Sequence, residues 1–244
     1  MPECYARELG DCEGRIEEEH FIPVSLQEML GPVTGSGFAW QDGSSISLQP
    51  GSYAKSRIIC RKHHDELDGL DSNAIDYFRN LMLIAGKYHL HSGVKGRAGD
   101  IRYELDGRAL ERWFLKTICG AIKTRTIANV HSVPSIWIQA LFDRIRWPDE
   151  WAFYVFTGNR VTRHEDARFT IDFHWTGDGS LNGIVVSAFA VDTLFSIQPP
   201  DVLRPNALRR PRVLGASVQR PDGSDVLEGV PAGQDIQVRF SYPD

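Results

Sequence analysis

Three cysteines and a histidine, Cys4, Cys12, Cys60 and His63, gather in the first 63 residues of a 244-residue chain. A set of soft donors like this constrains a fold more than any local propensity, because one ion would tie four points of backbone together. Cys60-Arg61-Lys62-His63 has the C-x-x-H spacing that lets both side chains reach one ion from a tight turn. Cys4 and Cys12 supply a second pair, spaced more widely than a usual zinc knuckle. The expectation is a structural zinc ion held by all four. The alternative is three unrelated buried thiols and a surface histidine. The fourth cysteine, Cys119, lies in the apolar helical run Trp113–Cys119 and reads as a core thiol, so disulfides are not expected.

Composition narrows the class. The chain is 42% hydrophobic and 24% charged, with 22 Gly and 13 Pro, which excludes collagen-like and largely disordered proteins. Its most apolar stretches, such as Ile184–Phe195, are interrupted by polar residues and are too short for a membrane span. The start, Met-Pro-Glu-Cys, does not read as a secretory signal, and a cytoplasmic protein is expected. Net charge is −5 and the pI about 5.9, which argues against non-specific coating of nucleic acid. Charge is unevenly spread, however. Residues 1–50 hold Arg7 and Arg15 against nine acids, whereas residues 51–130 hold fourteen Lys and Arg against nine.

The pattern divides the chain into 1–72, 73–148 and 149–244. In the first part, Ser25-Leu26-Gln27-Glu28 matches a capping box and predicts a short helix stopped by Gly31-Pro32. Residues 31–45 read as loop, and Ile46–Leu48 and Arg57–Ile59 as short strands. Next, Asp71-Ser72-Asn73 opens a helix with Ile75, Phe78, Met82 and Ala85 on one face. Residues 101–105 suggest a strand. Asp106 then caps a helix running to about Thr124, and Ser135 opens a third that Trp147-Pro148 closes. From Trp151 the pattern is strand-like over 151–156, 168–176, 184–197 and 235–242, with a Pro-rich connector at 199–211. With no βαβ rhythm, parallel pairing is disfavoured, and an α+β protein with a C-terminal antiparallel β-rich region is expected. The tryptophans at 137, 147, 151 and 175 read as core.

Between the two donor pairs lies Glu19-His20-Phe21-Ile22-Pro23, a carboxylate and an imidazole next to an apolar pair and a proline. After His63 come His64, Asp65 and Asp68. His64 and Asp68 stand four apart and would share one face of a helix, where they could hold a cation with Glu19. Taken with Cys60-Arg61-Lys62-His63-His64-Asp65-Glu66-Leu67-Asp68, the block resembles the HNH endonuclease family, whose ββα-metal motif is often braced by a cysteine-rich zinc site. The likeness covers roughly the first 72 residues. It departs from the family pattern at His63, where cysteine is usual, in the wide first pair, and in the absence of an asparagine before Cys60.

That resemblance implies a metal-dependent endonuclease acting on nucleic acid, DNA in the first instance, in bacterial defence or mobile-element biology. It implies His20 as general base and Glu19, His64 and Asp68 as ligands of a catalytic Mg²⁺, Mn²⁺ or Ni²⁺ ion. Lys55, Arg57, Arg61 and Lys62 become the nucleic-acid-binding cations. The remainder of the chain would then serve target binding, signal recognition or homo-oligomer assembly. A second reading is an inactive zinc module that binds nucleic acid or protein. A third is an enzyme whose active site lies in the C-terminal β-rich region, where His164, Asp166, Asp172 and His174 invite a metal reading.

Overall fold

The computed structural model describes residues 3–20, 22–31, 33–36, 46–48, 55–84, 101–127, 130–157, 169–188, 191–198, 207–217 and 235–242. The protein is α+β. At its centre lies one helix, α4 (Gly107–Lys123), in which Leu110, Trp113, Phe114, Leu115, Ile118, Cys119 and Ala121 are all buried. Asp106 starts it as the sequence predicts, its Oδ1 accepting the Ala109 amide at 3.0 Å. Against it packs α3 (Leu70–Ile84). The buried apolar positions of α3 are Leu70, Ala74, Tyr77, Phe78 and Leu81, whereas Ile75 and Met82 sit at the edge of that stripe. The inward face is therefore turned by about one position from the one the apolar spacing suggests, because the large aromatics Tyr77 and Phe78 take the centre. The third helix, α5 (Ser135–Leu141), is shorter than expected and ends well before Pro148.

Strands β6 (Ala152–Thr157), β7 (Phe169–Trp175), β8 (Leu181–Ala188) and β9 (Val191–Ser196) build the antiparallel centre of a seven-stranded sheet. On β7 the alternation is plain, with Phe169, Ile171 and Phe173 buried and Thr170, Asp172 and His174 half-buried. The apolar run 184–197 is two strands, not one. Gly183 permits their close approach, since a Cβ there would stand 2.0 Å from the Phe195 carbonyl oxygen. One face of this sheet carries Phe153, Val155, Phe169, Ile171, Ile184 and Phe195 into the main core with the helices. On the other, Ala152, Tyr154, Phe156 and Leu194 form a small second cluster.

Three sequence expectations are corrected at the edges. Residues 33–36, expected as loop, form β2 (Val33–Ser36), which pairs with β3 (Ile46–Leu48) and extends the large sheet alongside β7. Part of the expected connector, β10 (Ala207–Arg209), pairs with β6 at the other edge. Parallel pairing does occur, between β2 and β7 and between β12 (Asp235–Ser241) and β5 (Ile101–Asp106), with β11 (Val213–Ser217) antiparallel on the far side of β12. These partners come from segments far apart in the chain, so no local βαβ signal announces them.

The N-terminal part contributes a two-stranded antiparallel ribbon, β1 (Ile16–His20) with β4 (Lys55–Cys60), followed directly by helix α2 (Arg61–Glu66). Helix α1 (Val24–Leu30) follows β1. Its capping box does not form: Pro23 holds the N-cap position without a side-chain bond, and Gln27 instead donates to the Ile22 carbonyl at 2.6 Å. Ile22, Leu26, Ile58, Ile59 and Leu67 join the same core as α3 and α4. Packing thus crosses the sequence boundaries at 72 and 148. Among the described residues no helix is long and apolar enough to cross a membrane.

Candidate metal centre

Local structure delivers each donor. Cys4 precedes a 3₁₀ turn (Arg7–Leu9), and its neighbour Tyr5 bonds to the β4 backbone through Ile58 O at 2.8 Å. Cys12 sits in a loop laid against the start of α2, where Arg61 N donates to Arg15 O at 3.0 Å. Gly14 at φ +77° makes that turn possible, since a side chain there would be strained and would meet Arg61 Cβ at 2.8 Å. Cys60 ends β4 and N-caps α2, and His63 lies one helical turn on.

The four donors converge. His63 Nδ1 lies 3.4 Å from Cys4 Sγ, 3.7 Å from Cys12 Sγ and 3.2 Å from Cys60 Sγ. All four donor atoms fall within 4.8 Å of one another. Tetrahedral zinc, with arms of about 2.3 Å to sulfur and about 2.0 Å to nitrogen, separates S and N by roughly 3.5 Å. Cys4, Cys12, Cys60 and His63 can therefore hold a metal ion such as zinc. Cys4, Cys60 and His63 are buried while Cys12 lies at the surface. Burial pushes the Cys4 thiol up, and desolvation with the adjacent Cys4 sulfur takes Cys12 up to about 12. Burial also opposes ionisation of Cys60, but the His63 and Glu13 backbone bonds together with those of the Cys12 and Cys4 side chains outweigh it and hold that thiol below its usual value. Phe142 packs its ring 4.8 Å from the His63 ring.

Behind His63 stands a charged cluster that the sequence did not reveal. His63 Nε2 lies 2.9 Å from Asp11 Oδ1. Asp11 Oδ2 accepts from Lys62 and, at 3.0 Å, from Arg144, which also reaches Glu66 at 3.0 Å. The Lys62 bond holds the Asp11 carboxyl down at about 2. Asp11, His63 and Glu66 also bring donor atoms within 4.8 Å of one another. Lys62 and Arg144 already neutralise those two carboxylates, so this group is an ion-pair cluster. Asp11 adjoins Cys12 and could have been noticed there, whereas nothing in the sequence around Arg144 points to this site.

The expected catalytic set assembles only in part. Glu19 is buried, and its Oε2 lies 3.4 Å from His64 Nε2. Its other oxygen, Oε1, is 2.6 Å from Lys116 Nζ on α4, and Lys116 also binds Asp71 at 2.8 Å. Trp113 Nε1 donates to the same Asp71 oxygen at 3.1 Å. Burial alone would lower the Lys116 pKa, but Glu19 and Asp71 outweigh it and hold it above the usual lysine value. Asp68 falls outside the set. Helix α2 ends at Glu66 and Gly69 turns the chain at φ +92°, so Asp68 lies in the turn beyond the helix. Asp68 is left 72% exposed, 3.9 Å from His64 Nδ1, the ring nitrogen opposite the one facing Glu19. One ion cannot take both nitrogens of one imidazole, so Glu19, His64 and Asp68 do not converge on a common ion.

His20 ends β1 opposite Lys55, half-buried, and makes no side-chain hydrogen bond or ion pair with any described residue. The four proposed nucleic-acid contacts lie on β4 and α2. Lys55 pairs with Glu18 at 3.2 Å, Arg57 donates to the Ile16 carbonyl at 3.2 Å, Arg61 binds Asp65 at 3.0 Å, and Lys62 is held by Asp11. In the β-rich region, Asp172 and His174 share a face of β7, while His164 and Asp166 lie outside the described residues. No family model matches the chain, and no curated protein or solved structure does so.

Proposed function

We propose that the ribbon β1–β4 with helix α2 is a zinc-braced module of the HNH type, and that the chain is a metal-dependent endonuclease. The observation that carries the reading is the Glu19–His64 pair. A carboxylate on one strand of a ββα unit and an imidazole on its helix stand 3.4 Å apart, beside a Cys3His cluster at the strand–helix junction. Two donors at that separation suit two ligands of one ion; Glu19 and His64 would hold a Mg²⁺, Mn²⁺ or Ni²⁺ ion, without Asp68. Such an ion supplies charge stabilisation of the scissile phosphate and of the leaving oxygen. His20 takes a proton from the attacking water, a task open to it because no described residue occupies its ring nitrogens. Lys55, Arg57, Arg61 and Lys62 flank the unit and would meet phosphates by exchanging their present carboxylate or carbonyl partners for them.

A second reading, a zinc module that binds nucleic acid or protein without cleaving it, has its own support. Lys116 already satisfies one Glu19 oxygen, and three of the four flanking cations carry acidic partners. Incubation of plasmid and single-stranded DNA with Mg²⁺, Mn²⁺ and Ni²⁺ separates the two. On the nuclease reading His20→Ala lowers the cleavage rate by about 10²–10⁴ with divalent-ion affinity unchanged. His64→Ala weakens that affinity and is partly rescued by raised metal. Wild-type protein that carries zinc and cuts neither substrate under any of these conditions would establish the second reading.

A further inference from the structure

A histidine that binds a metal through one ring nitrogen has to carry its proton on the other, and which nitrogen does so is set by what the second one meets. His63 points Nδ1 at three sulfurs and Nε2 at Asp11 Oδ1, 2.9 Å away. A carboxylate can only accept, so Nε2 carries the proton and Nδ1 keeps its lone pair facing the cysteines.

We infer that Asp11 is the positioning residue of the metal centre, selecting the His63 tautomer and ring orientation that present Nδ1 to the ion. Its own orientation is held from two separate elements. Lys62 of α2 and Arg144, just beyond α5, both bind Asp11 Oδ2, which leaves Oδ1 for the imidazole. Arg144 comes from the same turn as Phe142, whose ring packs on His63. The region after α5 therefore supports the metal centre from outside the N-terminal segment, by one charge and one apolar face. Histidine ligands of zinc commonly rely on a carboxylate in this way, and its loss typically lowers metal affinity 10- to 100-fold.

The inference rests on the Cys4, Cys12, Cys60 and His63 ligand set, and the test distinguishes the two. Co²⁺ and Zn²⁺ affinities are measured by chelator competition for the full-length wild type, Asp11→Ala, Asp11→Asn and Glu66→Ala. Glu66 has the same charge and shares Lys62 and Arg144 with Asp11, but makes no hydrogen bond to the imidazole. Asp11→Ala should weaken both ions by about 10- to 100-fold. Asp11→Asn, which keeps an acceptor oxygen, should lose less, and Glu66→Ala should change affinity by less than about threefold. In parallel, long-range ¹H–¹⁵N correlation of the zinc-loaded wild type should show a proton on His63 Nε2, slow to exchange, that exchanges rapidly in Asp11→Ala. Equal losses in Asp11→Ala and Glu66→Ala would overturn the positioning role in favour of bulk charge. An Asp11→Ala affinity matching wild type would overturn it outright, with the ligand set intact. A wild type that binds neither ion would overturn the ligand set, and the inference with it.

Discussion

At the level of single residues, charge is buried in the core at two places among the described residues, around Lys116 and around Glu111, and both are partnered. Lys116, 3% exposed, holds Glu19 and Asp71 together. Removing the Lys116 charge leaves buried Glu19 without its counter-charge, which costs about 3–5 kcal/mol. Lys116→Met should accordingly lower stability by that order in urea unfolding at pH 7. The pH dependence follows from the direction of the shift. Folding raises the Lys116 pKa above 10.5, so its contribution is complete below about that value and fades as pH climbs through the raised one. Stability should fall more steeply above pH 10.5 in wild type than in Lys116→Met; parallel curves would contradict the assignment. Cys60→Ser tests the other kind of buried partner. It should take bound zinc from about one equivalent per chain to well below it, and make residues 3–20 the first site of limited proteolysis. A wild type purified without zinc yet equally resistant would refute this.

At the level of elements, caps and close approaches carry definite energies. Asp106 satisfies the Ala109 amide at the start of α4, and Asp106→Ala should cost about 1 kcal/mol while Asp106→Asn costs little. Gly183 is the tightest point of the β8–β9 pair. An added methyl meets backbone that cannot swing aside, so Gly183→Ala should destabilise by about 1–3 kcal/mol or more. Thermal unfolding of both variants checks these figures, and a Gly183→Ala protein as stable as wild type would mean the strands pair differently. The capping box at Ser25–Glu28 was legible yet unused. Pro23 already fixes the helix start, and Gln27 turns back to the Ile22 carbonyl, which leaves the local signal without a role.

For the whole molecule, the shared core decides what can stand alone. Residues 149–244 lack β2, β3 and β5, which supply a sheet edge and the parallel partner of β12, and they lack α4, the centre of the core. Glu111 of α4 strengthens that dependence. Fully buried, it accepts from Arg108 at 2.6 Å, from Arg210 beside β10 at 2.8 Å and from the Phe153 amide at 3.1 Å. The isolated 149–244 segment should therefore lack cooperative unfolding and amide dispersion by NMR. A well-dispersed spectrum from it would show that the sheet needs none of these partners. The same sharing alters what the metal has to do. Cys4, Tyr5, Ala6, Ile22, Leu26, Ile58 and Ile59 bury themselves in the common core, so an ion adds to a segment that apolar packing already orders in part.

Read alone, the sequence determined the features that depend on near neighbours. The start of α4 at Asp106, the strands after Trp151, the burial of Cys119 and the C-x-x-H pair all follow from spacing along one element. Cys4 and Cys12 are legible too, because a tetrahedral ion needs a second donor pair beside Cys60 and His63. What joins distant segments was decided by tertiary packing. Lys116 reaching Glu19, Arg144 reaching Asp11, β2 lying along β7 and β12 along β5 link residues that share no periodicity. For Glu19 and the two strand edges the reason is the buried polar group, whereas Arg144 and Asp11, both part-exposed, meet because packing sets the turn after α5 beside the metal centre. A carboxylate or strand edge removed from water must find a partner, and which cation or strand is within reach depends on where the whole chain has brought it.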